Sequence, residues 1–237
     1  MSIPPKQIGW SQKANLLWEI SRQLDITLNA MRNGSITTST TTTTLFCENC
    51  VQSSVIIGTQ TWDKCNLDVS TYRNGDVIPF ASNETEWNNY ATSGIGAWCY
   101  YDYNPANGPI YGKLYSRSAV NDPRNLAPVG KHIPSTAEFN TLISFLGVDA
   151  GGKMKQEGLC RWLTPNTGAT NSSGFTGLPG GGCFAGAFSE ITTSGIFWSS
   201  TSLPTVNEGI FLSFNTTDVN ITASFDSEGL SVRCLID

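Results

Sequence analysis

The sequence predicts an α+β chain in three parts. An N-terminal helix comes first, an extended Thr-rich stalk follows, and the body has short antiparallel strands, one main helix and long loops. Three observations carry this. Apolar residues recur at heptad spacing through the first 34 positions, and an uncharged threonine-rich run fills 37–44. After Cys50 the apolar residues alternate in short runs between turn signals.

In the first part, Ser11 is a good helix N-cap and Asn33-Gly34 a good stop. Starting just before the cap, Trp10, Leu17, Leu24 and Met31 recur every seven residues, with Ile20 and Thr27 three positions after Leu17 and Leu24. A short heptad seam of this kind suits self-association, a trimer being the expected count, or docking on a larger assembly. The residues of the run 37–44 prefer extended backbone and would cover about 26 Å at ~3.3 Å per residue. The expected divisions are an assembly helix at 1–34, a stalk carrying Cys47 and Cys50 at 35–54, and a body at 55–237.

Within the body, Val55–Ile57 reads as a strand and Asn74-Gly75 as a tight turn. Ser135 with Glu138 three residues later forms a capping-box signature, and Gly147 ends the helix that it starts. The stretch 151–182 is too rich in Gly, Asn and Thr for long elements, and Gly151, Gly152, Gly180 and Gly181 are expected to permit tight turns. Ile210, Leu212 and Phe214, then Val219 and Ile221, then Leu230, Val232 and Cys234 alternate as antiparallel strands with one buried face.

Composition narrows the function. Only 14% of the residues are charged and the net charge is −5, so neither nucleic acid nor an anionic membrane is an expected partner. No apolar stretch approaches the ~20 residues of a membrane-spanning helix. The start MSIPPKQIGW has no apolar core of a cleavable export peptide, so release inside a particle is expected rather than translocation. The cysteines number seven, at 47, 50, 65, 99, 160, 183 and 234, an odd count that leaves at least one thiol unpaired within the chain. Zinc would have to join Cys47, Cys50, Cys65 and His132; a second CxxC is missing, so disulfides or buried thiols are the better account and no metal or other cofactor is expected.

Several ordered segments resemble a known family: "IIGTQTWDKCNLDVSTYRNGDVIP", "GAWCYYDYNPANGPIYGKLY", "AVNDPRNLAPVGKHIPSTAEF", "AGGKMK", "FWSST" and "LSVRCLID". Together they resemble the Fibrobacter succinogenes major paralogous domain from about Val55 to Asp237. The resemblance implies a fold similar to C-type lectins and the formylglycine-generating group. It also implies a place among surface proteins of Bacteroidota and their phages. Against the family pattern Cys160 and Cys183 are unusual, and as they flank one long loop segment they are expected to pair. Cys99 and Cys234 belong to the family motifs and either bridge or lie buried, while Cys65 would tie the stalk to the body through Cys47 or Cys50.

Trp62, Trp87, Trp98, Trp162 and Trp198 are expected as core and loop anchors. Enzyme chemistry is not expected: the single histidine has no recognisable nucleophile beside it, and Glu84 with Glu86, or Asp226 with Glu228, read as solvated carboxylates. A calcium site at Asp218, Asp226 and Glu228 lacks any supporting spacing. The expected function is a phage virion protein, a capsid fibre or decoration displaying its lectin-like domain toward host-surface glycans. The capsid is the other expected partner, and a tail-associated receptor-binding protein or a bacterial cell-surface adhesin is the alternative. In lectin-like folds the C-terminal region forms the binding surface, which points to Trp198, Asn207, Glu208, Asn215, Asp218 and Asn220.

Overall fold

The computed structural model describes residues 52–204 and 207–237. The heptad residues Trp10, Leu17, Ile20, Leu24 and Met31, the threonine run, Cys47 and Cys50 lie outside the described residues. What is described is an α+β body with twelve strands and five α-helices. In chain order these are β1 (Ser54–Ile57), β2 (Gln60–Asp63), α1 (Glu84–Thr92), β3 (Trp98–Cys99), α2 (Gly108–Tyr111), β4 (Leu114–Ser116), α3 (Arg117–Val120) and β5 (Lys131–His132). Then come α4 (Thr136–Leu146), α5 (Ala150–Met154), β6 (Gly180–Phe184), β7 (Ala187–Ile191), β8 (Ser194–Ser202), β9 (Asn207–Ser213), β10 (Val219–Ser224), β11 (Glu228–Leu230) and β12 (Leu235–Ile236).

Two sheets organise these elements. The smaller has the order β1-β2-β12-β5, so the first and last strands of the body are sewn together. The larger runs β10-β9-β8-β6-β11-β4-β3, with β7 paired to β6. Its pairs are antiparallel except β6 with β8, which meet in parallel at Gly181 and Gly195. The expected alternation is present: Leu212 lies opposite Val219, and Ile210 opposite Ile221.

Strand β8 is buried from Ser194 to Ser199 because both of its faces are covered. Ile196 and Trp198 enter one core with Tyr72, Tyr115, Leu230 and Val232. Phe197, pointing the other way, enters a second core with Trp62, Phe139, Leu142, Met154, Trp162 and Phe175. Period-two geometry thus feeds two cores from one strand. The five tryptophans expected as anchors are all buried.

Helix α4 has the capping box read from the sequence: the Ser135 hydroxyl accepts from Glu138 N–H, and the Glu138 carboxylate accepts from Ser135 N–H at 2.8 Å. Gly147 ends it at φ +66°. Phe139 and Leu142 are its buried face, each contributing about 1.5–3 kcal/mol by burial. A second helix, α1, goes beyond the expected single one. Asn83 accepts from Glu86 N–H as its N-cap, and Glu86 accepts from Ser82 N–H at 2.7 Å, so Glu84 and Glu86 are first-turn charges beside the helix N-terminus. Trp87 anchors α1, donating from Nε1 to Ser227 O at 3.1 Å.

The glycines at 151 and 152 differ from expectation. They sit in α5 rather than in turns, and they are glycine because backbone approaches them: an added Cβ would lie 2.3 Å from Asp218 O and 2.4 Å from Gly168 O. Gly180 lies in the buried strand β6, whereas Gly181 does take a positive φ, +60°.

Buried cations order the long loops. Lys155 is fully buried and donates from Nζ to Thr167 O, Ser213 O and Thr216 O at 2.8–2.9 Å. Burial pulls its pKa down to about 8. Arg233, also fully buried, donates to Asn66 Oδ1 and to the carbonyls of Asp63, Phe175 and Thr176, and lies 4.5 Å over the Phe175 ring. Burial lowers its pKa to about 9. Arg117 binds the carbonyls of Ser199, Ser200 and Thr201. Carbonyls left without a ladder by irregular backbone are satisfied by these side chains instead.

Candidate functional site

The residues expected to form a binding surface do not converge. Trp198 is fully buried and donates from Nε1 to Tyr115 O at 2.7 Å, with Arg117 stacked 5.3 Å over its ring. It is a core residue and presents no face to a ligand. Asn207 is buried between Ser202 and Asp226, accepting from Ser202 Oγ at 3.2 Å and donating to Asp226 Oδ1 at 2.8 Å. Half-buried Glu208 accepts from Thr136 Oγ1. Asn215, Asp218 and Asn220 are exposed, but Asn215 and Asp218 sit at the opposite end of the β9–β10 hairpin. The seven residues of β9 separate the two ends by about 23 Å. The same distance keeps Asp218 from sharing a calcium ion with Asp226 and Glu228.

The cysteine pairing also changes. Cys183 is a free, buried thiol, as are Cys99 and Cys234, so the expected Cys160–Cys183 bridge is not formed. Cys183 lies in β6 opposite Gly229 and Phe188, in a core cluster with Cys99, Trp87 and Leu114. Burial and the neighbouring Cys183 push the Cys99 thiol well up. Cys65 and Cys160 are not free thiols. The expected tie of Cys65 to Cys47 or Cys50 involves residues outside the described ones.

His132 is engaged at both ring nitrogens, Nδ1 with Asp237 Oδ1 at 2.6 Å and Nε2 with Glu138 Oε1 at 2.8 Å. The zinc arrangement would have to break both contacts. Partial burial opposes the charged ring, but the two carboxylates overcome it and hold the imidazole above its ordinary 6.5. This bridge ties β5 to α4.

A different set of groups does converge. The loop after β2 carries Asn66 and Asp68. Strand β3 delivers Trp98, with Tyr100 immediately after it, α2 supplies a wall, and Lys113 enters just before β4. Lys113 is nearly buried and pairs with Asp68 Oδ1 at 2.8 Å while donating to Asp68 O at 2.9 Å. Its ammonium lies 4.4 Å from the Trp98 ring centre and 5.8 Å from that of Tyr100. Phe80 packs on Trp98 at 4.5 Å and reaches Tyr100 at 6.1 Å. Burial, then the charge of Asp68, raises the Tyr100 phenol.

Beside this cluster is a shallow cleft of about 320 Å³ lined by Gln52, Cys65, Asn66, Asp68 and the segment 108–112, with Cys65 of its wall held in a disulfide. Gly108 permits it: a Cβ there would stand 2.4 Å from the Tyr100 ring. Asn66 is fixed, donating to Tyr111 O at 2.9 Å and accepting from Arg233 at 2.7 Å. Asp68 remains 45% exposed at its side chain and Phe80 39% exposed. A carboxylate is thus held by a nearly buried ammonium at the edge of the cleft, with the exposed Phe80 ring nearby. Among the described residues no group of three His, Cys, Asp or Glu is placed to hold a metal ion, and no helix is long and apolar enough to cross a membrane.

Reading the sequence missed Asp68, Phe80, Tyr100, Lys113 and Gln52. A signal was present in the density of aromatic and glycine residues around "GAWCYYDYNPANGPIYGKLY", although nothing in it points to Asp68, 45 residues away.

The fold is an α+β body whose long loops are ordered by buried cations, with a carboxylate-bearing cleft on its surface. The sequence pattern of the Fibrobacter succinogenes major domain matches residues 55–235, and the chain belongs to that family. No curated protein and no solved structure matches it.

Proposed function

We propose that the chain is a bacteriophage virion structural protein. It is a trimeric capsid fibre or decoration protein that displays a non-catalytic, C-type-lectin-like domain for attachment to host-surface glycans. The observation carrying the attachment reading is the cleft beside Phe80 and Tyr100, where Asp68 is held ready by Lys113. Preorganised polar groups beside exposed rings reduce the entropic cost of binding without supplying chemistry. The order of the sequence supports display: a heptad stretch, an uncharged threonine-rich spacer, then the folded body.

Imaging tests the location. An antibody to the body is expected to decorate purified particles at the capsid, with regular spacing. Label confined to the tail tip would favour receptor binding there. Label on cell envelopes and never on particles would replace the virion reading with a surface adhesin.

A further inference from the structure

We infer that the cleft lined by Gln52, Asp68 and the segment 108–112 is a site for a single neutral pyranose, the end or a branch of a longer glycan. The inference rests on the attachment reading and adds the class of ligand and the residues that hold it. Size comes first: about 320 Å³ is at the small end of ligand pockets, room for one sugar residue rather than a length of peptide.

Chemistry selects within that size. One oxygen of Asp68 is taken by Lys113 at 2.8 Å, and among the described residues the other has no partner. A carboxylate fixed in this way accepts strongly from hydroxyl donors. Exposed Gln52 adds one amide donor pair and one acceptor, matching the mixed character of ring hydroxyls. Neither Tyr100 nor Phe80 lines the cleft itself, but Tyr100 packs behind Gly108 of its wall and the exposed Phe80 lies 6.1 Å from Tyr100, an outer rim on which the C–H face of a pyranose reaching out of the cleft would pack.

Charge then excludes a class. The ammonium of Lys113 is nearly buried and already committed to Asp68 and its carbonyl, so the half-exposed carboxylate dominates what a ligand meets. A uronic or sialic acid would bring like charge against it. Neutral hexoses carry no such penalty.

The test uses the full chain and saturation-transfer NMR with methyl glucoside, methyl galactoside, methyl mannoside and glucuronate as probes. At least one neutral glycoside is expected to bind in the millimolar range and glucuronate not to bind. Asp68→Asn, Gln52→Ala and Phe80→Ala should each weaken binding about tenfold. Asp68→Asn leaves Lys113 without its counter-charge, so thermal melts accompany every variant, and Gln52→Ala and Phe80→Ala, both at exposed positions, decide if it fails to fold. No transfer to any neutral glycoside, equal binding of glucuronate, or binding unchanged in folded Gln52→Ala and Phe80→Ala proteins would each overturn the inference. Adsorption to host cells separates it from the attachment reading. Adsorption untouched by the cleft variants keeps attachment and removes the cleft; glycoside binding without any label on particles keeps the cleft and removes the virion assignment.

Discussion

Lys155 shows what a single residue does in this protein. Its ammonium satisfies three carbonyls from two segments, Thr167 in a long loop on one side and Ser213 and Thr216 at the end of β9 and just past it on the other. Lys155→Met keeps the volume and removes the donors, and should destabilise the fold by about 3 kcal/mol, read by urea denaturation. His132 gives a pH signature. Its folded pKa lies above 6.5, so its contribution is complete below that value and is lost as pH rises through the folded pKa. Glu138 has the opposite sign. Partial burial works against its charge, but Ser135 and His132 hold its pKa below 4.5, so its contribution is present above 4.5 and is lost as pH falls through the folded value. The bridge is therefore strongest between 4.5 and 6.5. Stability of the wild type should decline from pH 6 to 8 relative to His132→Gln, and parallel curves for the two proteins would refute the bridge.

At the scale of elements, short-range signals formed as written. The Ser135 and Glu138 capping box sets the start of α4, and Ser135→Ala should cost about 1 kcal/mol in thermal or chemical denaturation, with α4 the first segment to exchange its amides. Helix α1 was equally legible in principle, since Asn83 and Glu86 carry the same spacing of cap and acid. The sequence reading takes Glu84 and Glu86 instead as solvated carboxylates. The glycines of α5 were not legible. Their reason is the backbone of Gly168 and Asp218, distant in sequence and brought to within 2.4 Å of where a side chain would start.

For the whole molecule, strand β8 of the larger sheet is the partition between two cores, and the first and last strands of the body lie in the same smaller sheet, joined through β2. The oligomer is a separate matter, resting on the heptad residues Leu17, Ile20 and Leu24. Native mass spectrometry of the full chain should give a trimer. Leu17→Lys combined with Leu24→Lys should give a monomer with an unchanged melting temperature for the body. A wild-type chain running as a monomer at micromolar concentration would remove self-association from the proposed function.

The sequence by itself determined the α+β class, the family, the caps and turn of the main elements, and the strand alternation of Ile210, Leu212, Val219 and Ile221. These depend on residues within a few positions of one another, or on the side-chain period of a strand. Only the tertiary structure decided which polar groups meet. It buried Trp198, left Cys183 a free thiol beside Cys99, and drew Asn215 away from Asn207 along a hairpin. It also joined Asp68 to Lys113 across 45 positions. The physical reason is that a site is set by where long loops cross, and here the crossings are fixed by buried cations that bind carbonyls, groups that every residue carries and no sequence pattern marks.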